Sequence, residues 1–122
     1  MAPMGTVTTT VELIRTNGQT GAASLSALVD TGATLSVFPA PVLDEAGVER
    51  IGKVGLRLAD GRRIERDVGD VRMRLEGQAV WARVVFGEPS DPTLIGLTVL
   101  EQLGLTVDPV QRRLVPTEFI LY

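Results

Sequence analysis

Ala27-Leu28-Val29-Asp30-Thr31-Gly32-Ala33 is an apolar run that delivers a single carboxylate into a Thr-Gly loop. Upstream, Ala22 to Asp30 (AASLSALVD) grows steadily more apolar and reads as a buried strand or a helix. The stop at Asp30-Thr31-Gly32 favours a strand that ends in a tight loop. An ordinary strand end and turn would look the same, since Asp and Gly are common turn residues. An Asp-Thr-Gly triplet arises by chance in roughly a few per cent of chains this long. Its surroundings must therefore decide what it means.

Before it, Thr6 to Ile14 (TVTTTVELI) is rich in β-branched residues and reads as a strand, with turn chemistry at Thr16-Asn17-Gly18. After it, Thr34 to Phe38 reads as a short strand ended by Pro39 and Pro41. Ala40 to Ala46 has room for one or two helical turns, closed by Gly47. From Val54 the pattern changes to hairpins. Val54 to Leu58 meets Asp60-Gly61, a two-residue turn signal, and Arg63 to Val68 returns from it. Val71 to Leu75 alternates, with Val71, Met73 and Leu75 on one face. Gly77-Gln78 turns the chain into Ala79 to Phe86. Leu94-Ile95 is a short apolar pair ending at Gly96, and Thr98 to Leu103 has helical spacing with Gly104 after it. Leu105 to Val107 and Arg113 to Val115 flank a turn at Asp108-Pro109, and Phe119 to Tyr122 is an apolar tail. The fold class expected is mostly β: eight or nine short strands in a small closed barrel, with one C-terminal helix, as a single domain over residues 1–122.

Composition removes most chemistries. The 122 residues carry 12 Lys+Arg against 15 Asp+Glu, a net charge of -3, which argues against a nucleic-acid partner. The chain contains neither cysteine nor histidine. That excludes thiolate nucleophiles, disulfides, Ser-His-Asp catalysis and metal sites built on Cys or His. Acid-base work near neutral pH falls to carboxylates first. Glu65, Asp67 and Asp70 lie beside Arg66 and Arg72, so a charge-paired surface is expected there rather than a cation site. Val71 to Leu75 with Trp81 reads as core or sheet face rather than a binding stripe. No metal and no cofactor are expected. Met1 to Thr10 lacks a basic, apolar leader, and no apolar run approaches the 18 residues needed to span a bilayer. A cytoplasmic protein with no membrane partner is expected.

Three features in order make the sequence resemble the retropepsin family, the aspartic proteases of retroviruses and their cellular and bacterial relatives, with the bacterial members the expected branch. They are the Asp30-Thr31-Gly32 motif, a hairpin about thirty residues later with Ala59-Asp60-Gly61-Arg62 at its tip, and Leu94-Ile95-Gly96 followed by the stretch Leu97 to Gly104. The resemblance spans roughly Val11 to Val115. It implies an endopeptidase acting on peptide or protein substrates as a homodimer, each chain supplying one Asp30 to a shared dyad. Thr31 would then hydrogen-bond across to the other chain, and Gly32 would let backbone approach the carboxylates. Ala33 would face the substrate backbone, while Ala59, Asp60 and Gly61 would act as a flap over it. Gly96 would pack beside the Asp30 loop.

Two departures stand out. The hairpin tip has one glycine flanked by Asp60 and Arg62, where viral members have a glycine-rich flap. Leu97 stands where those enzymes carry an arginine that locks the dimer, which leaves the apolar stretch Pro116 to Tyr122 to supply contact. Two other readings stay open: a catalytically silent dimeric peptide-binding or assembly module on the same fold, and an unrelated small barrel with a chance motif, which would be a monomer.

Overall fold

A computed structural model describes residues 6–16 and 21–118. The expected turn at Asn17-Gly18 and the apolar tail at 119–122 lie outside the described residues. The β-branched first segment forms β1 (Val7–Ile14), which pairs antiparallel along its length with β2 (Ala22–Val29). β3 (Ser36–Pro39) runs straight into a short helix, α1 (Ala40–Glu45). β4 (Gly52–Arg57) and β5 (Arg63–Leu75) form a hairpin, and β6 (Gln78–Gly87) returns along β5. A two-residue strand, β7 (Leu94–Ile95), precedes α2 (Leu97–Leu103), and β8 (Leu105–Asp108) pairs with β9 (Arg113–Pro116). The order in the main sheet is β1-β2-β7-β3-β6-β5-β4, and β5 also pairs with β1, so the sheet curls back on itself. The fold is mostly β.

Three expectations need correction. The fold was expected to carry one C-terminal helix, and the one or two turns read at Ala40 to Ala46 form a second. Pro41 sits in the first turn of α1, where its missing N–H is no loss, and Gly47 ends the segment at φ 85. The hairpin tip is not a two-residue turn. Leu58 N–H donates to Arg62 O at 2.8 Å and Gly61 N–H to Leu58 O at 2.9 Å, which leaves Ala59, Asp60 and Gly61 as a three-residue loop. Gly61 takes φ 88, the left-handed position such loops require. Finally, β5 is a single strand of 13 residues with no break at Gly69-Asp70. Gly69 pairs with Val84, and a side chain there would collide with the Glu49 carbonyl and with Val48. The glycine marks a close approach of backbone rather than a turn.

The inward faces follow the alternation read in the sequence. Val71, Met73 and Leu75 are fully buried and meet Leu13, Phe38, Val84 and Ile95 in the core, while α2 adds Val99 and Leu100. Each large side chain buried in this way contributes about 1.5–3 kcal/mol. Trp81, on the opposite face of β6, is exposed. Asp67 takes Arg50 and Lys53, and Asp70 takes Arg83, as a charge-paired surface. Among the described residues no helix is long and apolar enough to cross a membrane, and no group of acidic residues could hold a metal ion.

Candidate active site

Asp30 follows the last residue of β2. Its position depends on β7, which pairs parallel with β2 (Leu28↔Leu94, Val29↔Ile95) and antiparallel with β3 (Val37↔Leu94). The Asp30 N–H continues this ladder, donating to Ile95 O at 2.9 Å. Beyond Asp30 the loop folds over its own carboxylate. Gly32 N–H donates to Asp30 Oδ1 at 2.9 Å, and Ala33 N–H to Asp30 O at 3.2 Å. A Cβ on Gly32 would lie 3.2 Å from that same Oδ1, so a glycine suits the place where backbone comes up to the carboxylate.

The rest of the loop is held by the segment around Gly96. Leu97 N–H donates to Ala33 O at 2.7 Å, and Thr98 donates to Thr34 O twice, from its N–H at 3.1 Å and its hydroxyl at 2.8 Å. Gly96 N–H reaches the Ser36 hydroxyl at 3.0 Å. Ser36 is 1% exposed and is the one buried polar side chain among the described residues. Gly96 packs so closely that a Cβ would sit 2.6 Å from Leu35 O and 2.9 Å from Ala33 O. Hence the start of α2 grips the loop after Asp30 through backbone on both sides. Rigid placement of this kind is what a reacting group needs.

Asp30 is half-buried and lines a cleft of about 800 Å³. The cleft brings together Asp30, Gly32 and Ala33 with the hairpin residues Leu56, Leu58, Ala59 and Ile64, so Ala59 is the tip residue that reaches it. Thr31 is exposed on the loop, and neither it nor Asp60 or Gly61 lines the cleft. At the tip, Arg62 Nε donates to Asp60 Oδ2 at 2.7 Å while Arg62 N–H donates to Asp60 Oδ1 at 3.0 Å. The backbone bond and the Arg62 guanidinium hold the Asp60 carboxyl below the usual carboxylate range. The cleft is mainly apolar, with Leu35, Val37, Val85 and Leu94 in its walls and Arg57, Arg66 and Asp91 as its other charged residues.

Asp91 was not singled out in the sequence, and Arg66 was read only as part of a charge-paired surface. Arg66 lies between Ile64 and Val68 on the face of β5 opposite Val71, Met73 and Leu75, and with Ile64 it lines the cleft, where an enclosed charge asks for a partner. It finds one in the loop between β6 and β7. Arg66 Nε donates to Asp91 Oδ2 at 2.8 Å, and Nη2 to Oδ1 at 3.1 Å.

No protein-family model and no curated protein matches the sequence significantly. Among solved structures, the chain is similar to the solution structure of the simian foamy virus (mac) protease. The match has a TM-score of 0.55 and 25% identity, and it covers 79% of this chain and 93% of that one. The fold is retropepsin-like. On a retropepsin-like fold, the short strand β7 and the start of α2 are the parts that set Asp30 in its cleft. The likeness reaches the level of an aspartic-protease fold.

Proposed function

We propose that the chain is one half of an aspartic endopeptidase of the retropepsin type, one domain per chain, with Asp30 and the partner subunit's Asp30 meeting on a twofold axis. The observation that carries this reading is a half-buried carboxylate on a backbone-clamped loop, lining a cleft beneath a hairpin, in a retropepsin-like fold. A single chain offers one such carboxylate, and the chemistry needs two. Two carboxyl groups about 3 Å apart share one proton, because both cannot ionise in so small a space. The charged member takes a proton from a water molecule as its oxygen attacks the peptide carbonyl carbon. The neutral member gives its proton to the carbonyl oxygen. As the C–N bond of the resulting diol breaks, the carboxyl that took the water's proton gives it to the leaving nitrogen, and a diol hydroxyl returns a proton to the other carboxylate. The apparent pKa values belong to the pair, not to either residue.

Thr31 is assigned the link between the two loops, and Gly32 the close backbone approach. Ala33 and the hairpin residues Ala59, Asp60 and Gly61 are assigned contact with a peptide bound as an added strand. The apolar walls of the cleft favour apolar side chains on either side of the cut. A peptide-binding module without turnover is the second reading. The charged, ion-paired tip at Asp60 and Arg62 favours it, since it makes a stiffer lid than a run of glycines.

The test is cleavage of a mixed peptide library by wild type and Asp30→Asn from pH 3 to 8, with dimerisation followed by ultracentrifugation. The expected result is cleavage by wild type that disappears in the variant. A folded, dimeric wild type that cuts nothing would leave the binding module as the better account.

A further inference from the structure

We propose that Arg66 and Asp91 form a latch. It holds the β4–β5 hairpin against the loop between β6 and β7, and so sets how far that hairpin opens over the Asp30 cleft. The inference rests on reading that cleft as the substrate site. Neither residue is assigned contact with the reacting atoms, so both act by positioning.

Four observations support it. First, the pair is unusually well enclosed. The Arg66 and Asp91 side chains are 12% and 15% exposed, whereas every other ion pair among the described residues has at least one partner above 30%. Second, it is a two-pronged contact in which a planar guanidinium meets both carboxylate oxygens, an arrangement that fixes orientation as well as distance. Third, the loop presents the carboxylate in advance. Glu88 N–H donates to Asp91 Oδ2 at 2.8 Å and Asp91 N–H to Glu88 O at 2.8 Å, closing a tight turn. Fourth, the pair lies in the wall shared by two clefts. Arg66 and Asp91 line the Asp30 cleft and also a second one, of about 780 Å³, on the side of Pro41 and Phe86.

The latch joins two elements with different duties. On one side is a hairpin whose outer strand, β4, is the edge of the sheet and has only β5 to hold it. An edge hairpin of this kind opens more cheaply than a strand paired on both sides. On the other side, the loop leads within three residues to β7. Thr93 O there accepts Leu28 N–H at 3.0 Å, and Ile95 O accepts Asp30 N–H. The contact therefore ties the edge hairpin to the support of Asp30. The other charged groups around the pair are Glu88, whose Oε2 lies 3.6 Å from Arg66 Nη2, with Arg57 and Asp30 lining one cleft and Arg50, Lys53, Glu65 and Asp67 the other.

The experiment is hydrogen exchange on the full chain, comparing wild type with Asp91→Asn and Arg66→Lys, alongside steady-state kinetics on the best peptide from the library. Asp91→Asn keeps the shape, and Arg66→Lys keeps the charge but not the fork. Losing a charge-assisted bond is expected to lower amide protection in residues 52–57 and 63–67 by about 10- to 100-fold, with β1 unchanged. Arg66→Lys should show the same local pattern at smaller size, and KM should rise more than kcat falls. Unchanged protection in both variants would overturn the latch. So would a loss spread evenly over all strands, or a fall in kcat at constant KM. If wild type cleaves no peptide, the protease reading fails by itself, and hydrogen exchange alone judges the latch.

Discussion

Replacing Gly96 with alanine isolates the grip of α2 on the Asp30 loop. Gly96 has φ -91 and ψ 175, ordinary extended backbone that alanine adopts freely, so the penalty comes from space alone. The added Cβ would stand 2.6 Å from Leu35 O, 2.7 Å from Leu35 C and 2.9 Å from Ala33 O. All three are backbone atoms, and no rotamer change relieves them. Either the loop or the start of α2 must move, weakening the bonds from Leu97 to Ala33 and from Gly96 to Ser36. Overpacking of this kind costs about 1–3 kcal/mol, partly offset by about 0.4–1 kcal/mol from a less flexible unfolded chain, for a net loss of about 1–2 kcal/mol. For a domain of this size that lowers Tm by about 4–8 °C. Gly55→Ala is the control, because its Cβ meets nothing within 4 Å. Thermal unfolding followed by circular dichroism reads both, and peptide cleavage reports whether the loop has moved. A Gly96→Ala protein melting within about 1 °C of wild type would refute the idea that this contact is unyielding.

Other outcomes follow from the same geometry. Ser36→Ala leaves the Gly96 N–H without its acceptor in a buried place, and urea unfolding should show a loss of about 1–3 kcal/mol. Acid should act through Asp91, whose carboxyl is held below the usual range chiefly by its hydrogen bond from Arg66. A group with a depressed folded pKa adds stability above its unfolded pKa and loses it as pH falls through the folded value, so the contribution fades from about pH 4 downward. Urea midpoints between pH 5 and pH 2 should then fall less steeply in Asp91→Asn than in wild type. Equal slopes would mean the pair does not couple to folding.

Much of this arrangement could be read from the chain because its signals are local. The apolar run into Asp30-Thr31-Gly32 and the Leu94-Ile95-Gly96 step into a helix each lie within a few neighbouring residues, and Gly104 ends α2 at φ 66 as its position suggested. Features that depend on distant partners were hidden. Gly69 looks like a break until the Glu49 carbonyl is seen against it. The insertion of β7 between β2 and β3 has no local signature, since two apolar residues fit many places. Arg66 did leave a trace, one charge set between the apolar Ile64 and Val68, but nothing in the sequence names Asp91 as its partner. The tip misled by one residue, because Asp-Gly serves two-residue and three-residue loops alike.

The insertion of β7 also has a consequence in time. The loop carrying Asp30 is completed by Gly96 bonding to Ser36 and Thr98 bonding to Thr34, contacts that span 60 and 64 positions of the chain. During synthesis, β1 and β2 can pair as soon as both have emerged, but the carboxylate that follows β2 stays on an unsupported loop until the segment around Ile95 arrives. Contacts of such long range form late, after the entropy of closing a large loop has been overcome. The chain therefore keeps the Asp30 carboxylate off its final support for most of its own assembly, and seats it only when nearly everything else is in place.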